Sequence, residues 1–261
     1  MRHRLPFYFH DGAVSMILMF RRLLPCLGLI LLAAVPARAA DDASAHYDRC
    51  MAQAGKNAGA ALADATAWSK AGGGAPAAHC AASALLGLGR YGEAAARLDA
   101  LARAASTPSG MRGEIFAQAG NAWLLAGNGA KATASLRSAL TLTAGDADLF
   151  ADLGRADAML RNWKDAVLDL NAAINLRRDS GLLVLRASAY RALRNYRAAL
   201  TDLNTALALR PGNADAVMER GLLRRDLGDV GGARTDFATV VKTGSPALKR
   251  DAAAALDALK D

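Results

Sequence analysis

The residues best suited to chemistry are the two cysteines and two histidines that follow residue 39: His46, Cys50, His79 and Cys80. In an oxidising compartment, an even pair of cysteines favours a disulfide between them. Two buried free thiols are one alternative. A metal site is another, since four nitrogen and sulfur ligands suit zinc. His79 and Cys80 are adjacent, however, and neighbours on a helix diverge by about 100°. We therefore predict a Cys50–Cys80 disulfide, with no metal and no cofactor.

Motifs that would indicate an enzyme are missing from the sequence. It contains no G-x-S-x-G or H-E-x-x-H motif, and the glycines at 72–74 lack the Lys-Ser/Thr that ends a phosphate-binding loop. Four aspartates recur at regular spacing, and we interpret them as a solvated outer helix face rather than as paired acid–base carboxylates: Asp165, Asp169, Asp202 and Asp236. The sequence predicts a protein that is not an enzyme.

The amino terminus has the order of a secretory signal. Two arginines precede an apolar run of thirteen residues, Leu23–Val35, which is followed by Pro36 and then by Ala37-Arg38-Ala39. Spanning a membrane takes about 20 apolar residues, so we expect cleavage after Ala39 rather than anchoring. We predict a signal peptide at 1–39, a start at Met16 or Met19 in place of Met1, and a periplasmic or secreted product with no stable membrane insertion.

The charge of the chain argues against nucleic acid as a partner. The formal net charge is +8, but the first 39 residues hold five basic residues and one acidic residue, which leaves +4 for the rest. Nucleic-acid binding usually requires a clustered basic patch with exposed aromatic residues, and the sequence shows neither.

One pattern repeats every 33 to 38 residues. It is marked by a buried-type alanine at Ala94, Ala132, Ala166, Ala199 and Ala233. An apolar residue follows each alanine by four positions, and a small residue precedes it by twelve. Apolar residues at this spacing lie on one helix face. The small residue lets a preceding helix approach closely. The pattern predicts pairs of helices, each of which buries its apolar face by stacking on its neighbours.

At these positions the chain resembles the tetratricopeptide-repeat family. The best-matching stretch runs from Tyr196-Arg197-Ala198-Ala199-Leu200 to Arg210-Pro211, although the signature tryptophan of the first helix is absent. The resemblance implies an all-α fold, an α-solenoid of antiparallel helix pairs, with five repeats over 75–247 (75–108, 113–146, 147–179, 180–213 and 214–247). We predict a degenerate helix pair at 40–74 and a capping helix at 248–261, with Ser245 as its N-cap and Pro246 in its first turn.

The resemblance also implies a binding groove lined by the first helix of each pair. Its polar candidates in this chain are Gln118, Asn121, Asp152, Arg155, Ser188, Arg191, Glu219 and Arg225. In the members that capture peptide carboxyl termini, lysines and asparagines hold the carboxylate. Here Asn121 matches one of these positions, whereas Ala117 and Asp152 do not. We expect a groove of mixed charge rather than a pocket for a terminal carboxylate.

Two functions fit these features. The first is an exported scaffold that binds a protein or peptide partner in the cell envelope. The alternative is an envelope-biogenesis factor that binds a glycan or assists a polysaccharide or peptidoglycan enzyme. The alternative predicts exposed aromatic side chains along the groove. The eight candidate positions contain none, and we assign Trp123 and Trp163 to packing, so the sequence favours the scaffold.

Overall fold

The computed structural model describes residues 37–259, which contain helices and no strands. The predicted all-α fold of antiparallel helix pairs is therefore confirmed. The chain divides into two compact units, one ending at Leu88 and the other beginning at Gly89. The predicted signal peptide lies outside the described residues, except for Ala37, Arg38 and Ala39 at the start of the first helix.

The first unit contains α1 (Ala37–Ala54), α2 (Ala58–Lys70) and α3 (Gly74–Gly87), which contact one another. Alanines fill its core, and Ala61, Ala65 and Ala77 are fully buried. Small side chains let the three helices approach closely. The unit boundary falls within the repeat predicted at 75–108, whose two helices are α3 and the first helix of the second unit.

The second unit consists of ten helices in the described part of the chain. In order they are α4 (Tyr91–Arg103), α5 (Ser109–Leu125), α6 (Gly129–Leu142), α7 (Ala147–Met159), α8 (Trp163–Leu176), α9 (Ser180–Ala192), α10 (Tyr196–Leu209), α11 (Ala214–Asp226), α12 (Val230–Thr243) and α13 (Pro246–Asp257). Helices α5/α6, α7/α8, α9/α10 and α11/α12 form four pairs, and each pair packs on the next.

The repeated small residues explain how close the two helices of a pair lie. An added Cβ at Gly120 or Gly154 would lie 2.5 or 2.7 Å from the Cγ of Leu136 or Leu170 on the partner helix. The recurring alanines are fully buried on that helix. The predicted close approach of the two backbones is thus confirmed. Because this packing sets the orientation of each first helix, it also determines which residues lie on the opposite face of that helix.

The helix ends follow their capping residues. Side chains at the N-cap position accept hydrogen bonds from the first-turn amides at Asn128, Asp146, Asp179, Asn195, Asn213, Asp229 and Ser245. Ser245 and Pro246 start the last helix as predicted, two residues before the expected boundary at 248. Within residues 37–259, no helix is both long enough and apolar enough to cross a bilayer.

Candidate functional site

Four of the eight predicted groove residues surround one cavity of about 620 Å³ in the second unit. They come from three successive first helices that contact one another, α5, α7 and α9. The polar lining residues are Asn121, Asp152, Arg155 and Ser188. The larger apolar lining residues are Leu124, Leu125, Met159, Trp163, Leu170 and Leu185. The structure therefore combines an apolar surface with a few polar groups, which is the usual composition of a ligand site.

The wall of the cavity depends on the packing of α7 against α8. Gly154 lies in this wall and has no space for a side chain, because Leu170 of α8 fills that position. Two of the apolar side chains remain largely exposed to solvent: Leu125 is 62% exposed and Met159 is 44% exposed. Exposed leucine and methionine beside a cavity provide an adaptable apolar contact.

The two charged residues of the cavity neutralise each other. Asp152 is only 6% exposed, and Arg155 on the next turn of α7 donates a hydrogen bond to its Oδ1. Burial raises the pKa of Asp152, while the charge of Arg155 and a hydrogen bond from Asn121 oppose that rise. The carboxylate is therefore already satisfied within the protein.

Three of the four remaining groove candidates form a separate ion-pair cluster on α9 and α11: Arg191, Glu219 and Arg225. Arg191 donates to Glu219 at 2.6 Å and to Asp226 at 2.9 Å, and Arg225 lies 3.3 Å from Asp226. Gln118 instead donates to Glu114 on its own helix. The candidate groove positions carry both signs of charge, and most of these charges pair with each other. The apolar surface of the cavity has no such pairing within the described residues.

The interpretation of the recurring aspartates as a solvated outer face is wrong at two positions. Asp202 is 5% exposed and accepts two hydrogen bonds from Arg186, at 2.7 and 2.8 Å. Asp236 is 2% exposed and bonds to both Arg220 and Arg224. An arginine on the first helix of each pair makes burial of the acid possible, because a buried charge is tolerated when it is paired.

The third aspartate of this series, Asp169, has an acidic neighbour instead. Its carboxyl group lies beside that of Asp157, which is 2% exposed. The Oδ2 atom of Asp157 has no hydrogen-bond partner within the described residues. Burial and the nearby Asp157 raise the pKa of Asp169 to about 6.

The two cysteines are bonded in the structure, with Cα atoms 6.1 Å apart, which is within the usual range for a disulfide. Both are buried in the first unit. The histidines have other roles that the sequence did not indicate. His79 Nδ1 lies 2.7 Å from the hydroxyl of Tyr47. His46 stacks on Trp68 with ring centroids 4.2 Å apart, and its Nε2 lies 3.0 Å from Asp64.

The two tryptophans of the repeats differ in role. Trp123 is 7% exposed, and its Nε1 donates to Asp99 at 2.8 Å, so the predicted packing role is confirmed. Trp163 is only half-buried and lines the cavity. The candidate groove positions came from first helices, whereas Trp163 begins the second helix of its pair. An aromatic contact at the groove was therefore missed.

Comparison with known proteins supports the fold. No protein-family model matches the chain, and no curated protein matches it in sequence. Among solved structures, TTC0263, a thermophilic TPR protein from Thermus thermophilus, is 19% identical with a TM-score of 0.55, over 67% of this chain and 95% of its own. YrrB, a TPR protein with an unusual peptide-binding site, is 20% identical with a TM-score of 0.52, over 72% and 95%. The Cut9 and Hcn1 complex of APC/C matches at 18% identity with a TM-score of 0.62, over 84% and 43%. The helix pairs, their spacing and these likenesses together show that this chain has the fold of tetratricopeptide-repeat proteins.

Proposed function

We propose that this chain is an exported scaffold, without enzymatic activity, that binds a peptide segment of another protein. The cavity between α5, α7 and α9 carries the proposal. Its volume of about 620 Å³ is in the range of ligand sites and can hold one large apolar side chain. Because Asp152 and Arg155 satisfy each other, burying such a side chain would leave no charge without a partner.

Three further observations support this reading. YrrB, which shares the fold, is described as having a peptide-binding site. The secretory-type segment at 1–39 and the buried cysteine pair both fit an oxidising compartment outside the cytoplasm. The titratable groups of the cavity pair with each other rather than standing ready for acid–base work. The glycan alternative predicted a row of exposed rings, whereas the cavity offers one half-buried tryptophan.

Selection from a random peptide library tests the proposal. We expect the full chain to enrich peptides that share a large apolar residue. The chain has three tryptophans, so replacing Trp68 and Trp123 by phenylalanine leaves Trp163 as the only fluorescent indole. Because Trp163 lines the cavity, its emission should shift when a selected peptide binds.

A matched pair of substitutions locates the binding site. Ser188→Trp fills the cavity from α9 and should reduce binding at least tenfold, because the peptide side chain loses its apolar surroundings. Thr239→Trp adds the same side chain at an exposed position of α12 outside the cavity and should leave binding unchanged. The proposal fails if no peptides are enriched, or if Ser188→Trp binds the selected peptides as the unaltered chain does. Retention on a glycan resin without peptide binding would favour the alternative.

A further inference from the structure

Two successive turns of the second unit carry the same kind of sequence. The turn between α7 and α8 reads Leu-Arg-Asn-Trp-Lys at 160–164, and the turn between α9 and α10 reads Leu-Arg-Asn-Tyr-Arg at 193–197. Each turn thus displays two cations, one on either side of an Asn-aromatic pair. We refer to Arg161, Lys164, Arg194 and Arg197 as the turn strip. All four are exposed.

The arginines of the turn strip occupy unfavourable backbone positions. Arg161 has φ of 61° and Arg194 has φ of 59°. The equivalent residues of the α5–α6 and α11–α12 turns are Gly127 and Gly228, with φ of 72° and 80°. Glycine adopts this left-handed conformation without strain, whereas other residues rarely do. Two strained arginines where glycine would fit suggest that the side chains themselves have a role.

The cations of the turn strip are also free of partners. None of the four forms an ion pair or a side-chain hydrogen bond with any described residue. The charged groove residues Arg155, Arg191 and Arg225 are all paired with acids. One exposed acid, Asp165, lies in the same turns. The turn strip is therefore a net positive surface whose charge no described residue neutralises through an ion pair.

The turn strip adjoins two concave sites. Met159 and Trp163, which line the large cavity, flank Arg161 in sequence at a distance of two residues. Arg197 itself lines a second open cavity of about 350 Å³, together with Tyr190 and Thr201. An extended peptide with one side chain in the first cavity would have its neighbouring residues within reach of the turn strip.

We propose that the partner peptide carries acidic residues beside its apolar anchor, and that the turn strip binds them. The inference rests on the proposed function and adds the chemistry of the ligand. Opposite charge steers the encounter and selects among apolar peptides. An anionic membrane is the other class of partner for exposed cations. The two concavities favour a peptide, since each can hold an individual side chain.

The test compares two double substitutions by the same library selection. Arg161→Gln with Arg194→Gln removes two charges from the turn strip. The control, Arg178→Gln with Arg210→Gln, removes two exposed, unpaired arginines from the turns at the other ends of the helix pairs. Circular dichroism checks that both variants keep the helical content of the unaltered chain.

We expect the unaltered chain to enrich peptides with a large apolar residue and at least two nearby acids. At low ionic strength, where the Debye length is about 30 Å, the turn-strip variant should bind them about tenfold more weakly, because each exposed charge pair contributes a few-fold. The control variant should bind within about twofold of the unaltered chain, and high salt should remove the difference. A peptide that keeps the same apolar anchor but has no acidic residues should bind both variants with equal affinity.

Two outcomes overturn the inference without affecting the proposed function. One is an apolar consensus without acids that is still sensitive to Ser188→Trp. The other is binding of vesicles that contain phosphatidylglycerol, through Arg161 and Arg194, by a chain that selects no acidic peptides. Failure to enrich any peptide, by contrast, would refute the proposed function itself.

Discussion

Replacing Asp169 by asparagine should stabilise the second unit above about pH 6. In the last two repeats, the aspartates at the same position, Asp202 and Asp236, pair with an arginine sixteen residues earlier. At Asp169 the residue sixteen positions earlier is Leu153, and the neighbouring charged group is Asp157. The α7–α8 pair therefore holds an acid without a paired arginine where the α9–α10 and α11–α12 pairs hold an ion pair.

The sign of the effect follows from the direction of the shift. Burial, together with the neighbouring carboxyl group of Asp157, raises the pKa of Asp169 from 3.8 to about 6, although Arg137 of α6 opposes this and Asp165 of α8 adds to it. A folded-state pKa above the unfolded value means that the folded chain holds the proton more tightly. Below about pH 4 the carboxyl group is protonated in both states, so its shifted pKa costs no stability. The free energy of unfolding then falls as the pH rises from about 4 to about 6, and it is lowest above pH 6.

The size of the effect can be bounded from the shift. One pKa unit corresponds to about 1.4 kcal/mol, so the full shift would amount to about 3 kcal/mol. Asp169 is only half-buried, and solvent screening reduces this to roughly 1–2 kcal/mol. Asp169→Asn cannot ionise, and its amide can donate to Asp157. We expect the unfolding free energy to rise by that amount at about pH 8 and to stay unchanged at about pH 4.

Urea denaturation of the full chain at several pH values measures this directly. The matched control is Asp202→Asn, at the same position of the next repeat. It should instead lower the unfolding free energy by about 2–4 kcal/mol, because it leaves the partly buried Arg186 without its acid. A gain from Asp169→Asn that is the same at pH 4 and pH 8, or a loss at pH 8, would show that the pKa of Asp169 is not raised in the folded chain.

Four further variants test the turns, the disulfide and the packing. Arg161→Gly should raise the unfolding free energy in urea titrations by about 0.5–1 kcal/mol, since relief of the left-handed strain exceeds the entropic cost of glycine. Gly127→Ala should lower the unfolding free energy by about 1 kcal/mol in the same titrations, because alanine is strained in that conformation. Joint replacement of Cys50 and Cys80 by serine should cost about 3–4 kcal/mol for a loop of 30 residues. For the bonded chain, reduction under denaturing conditions should add the mass of two hydrogens, and an unchanged mass would exclude the bond. Gly154→Ala should cost about 1–3 kcal/mol and lower the melting temperature, because its Cβ would lie 2.7 Å from a leucine Cγ.

The helix pairs can be predicted well from the sequence, because the residue pattern that specifies them is local and is repeated along the chain. A buried alanine, the apolar residue four positions later and the small residue twelve positions earlier recur together. Gly120, Leu136 and Ala132, for example, lie where this pattern requires. Periodicity of this kind determines which face of each helix is buried. The groove positions implied by the resemblance were informative for the same reason, since Asn121, Asp152 and Ser188 come together around one cavity.

The pairing of charges was harder to predict because it depends on contacts between helices. A buried aspartate and a solvated one look alike in a single repeat, and only the residue opposite distinguishes them. The sequence nevertheless contains a signal for these pairings. Column-by-column comparison of the repeats shows Arg186 and Arg220 sixteen residues before Asp202 and Asp236, with Leu153 before Asp169. That comparison would have identified both the ion pairs and the exception.

Three unfavourable local choices occur together in one helix pair, although one of them, an arginine in a glycine-type turn position, recurs at Arg194. Within α7, α8 and their turn, Asp169 lacks an arginine, Arg161 occupies a glycine-type backbone position, and Asp152 is buried beside Arg155. Natural sequences are consistent at every level except where function requires otherwise, so such exceptions indicate functional sites. Asp152 and Arg155 line the same cavity as Met159 and Trp163, and Arg161 lies two residues from each of the latter in sequence. The α7–α8 pair is therefore where stability and binding should diverge, and Arg161→Gly should make the protein more stable while weakening its hold on acidic peptides.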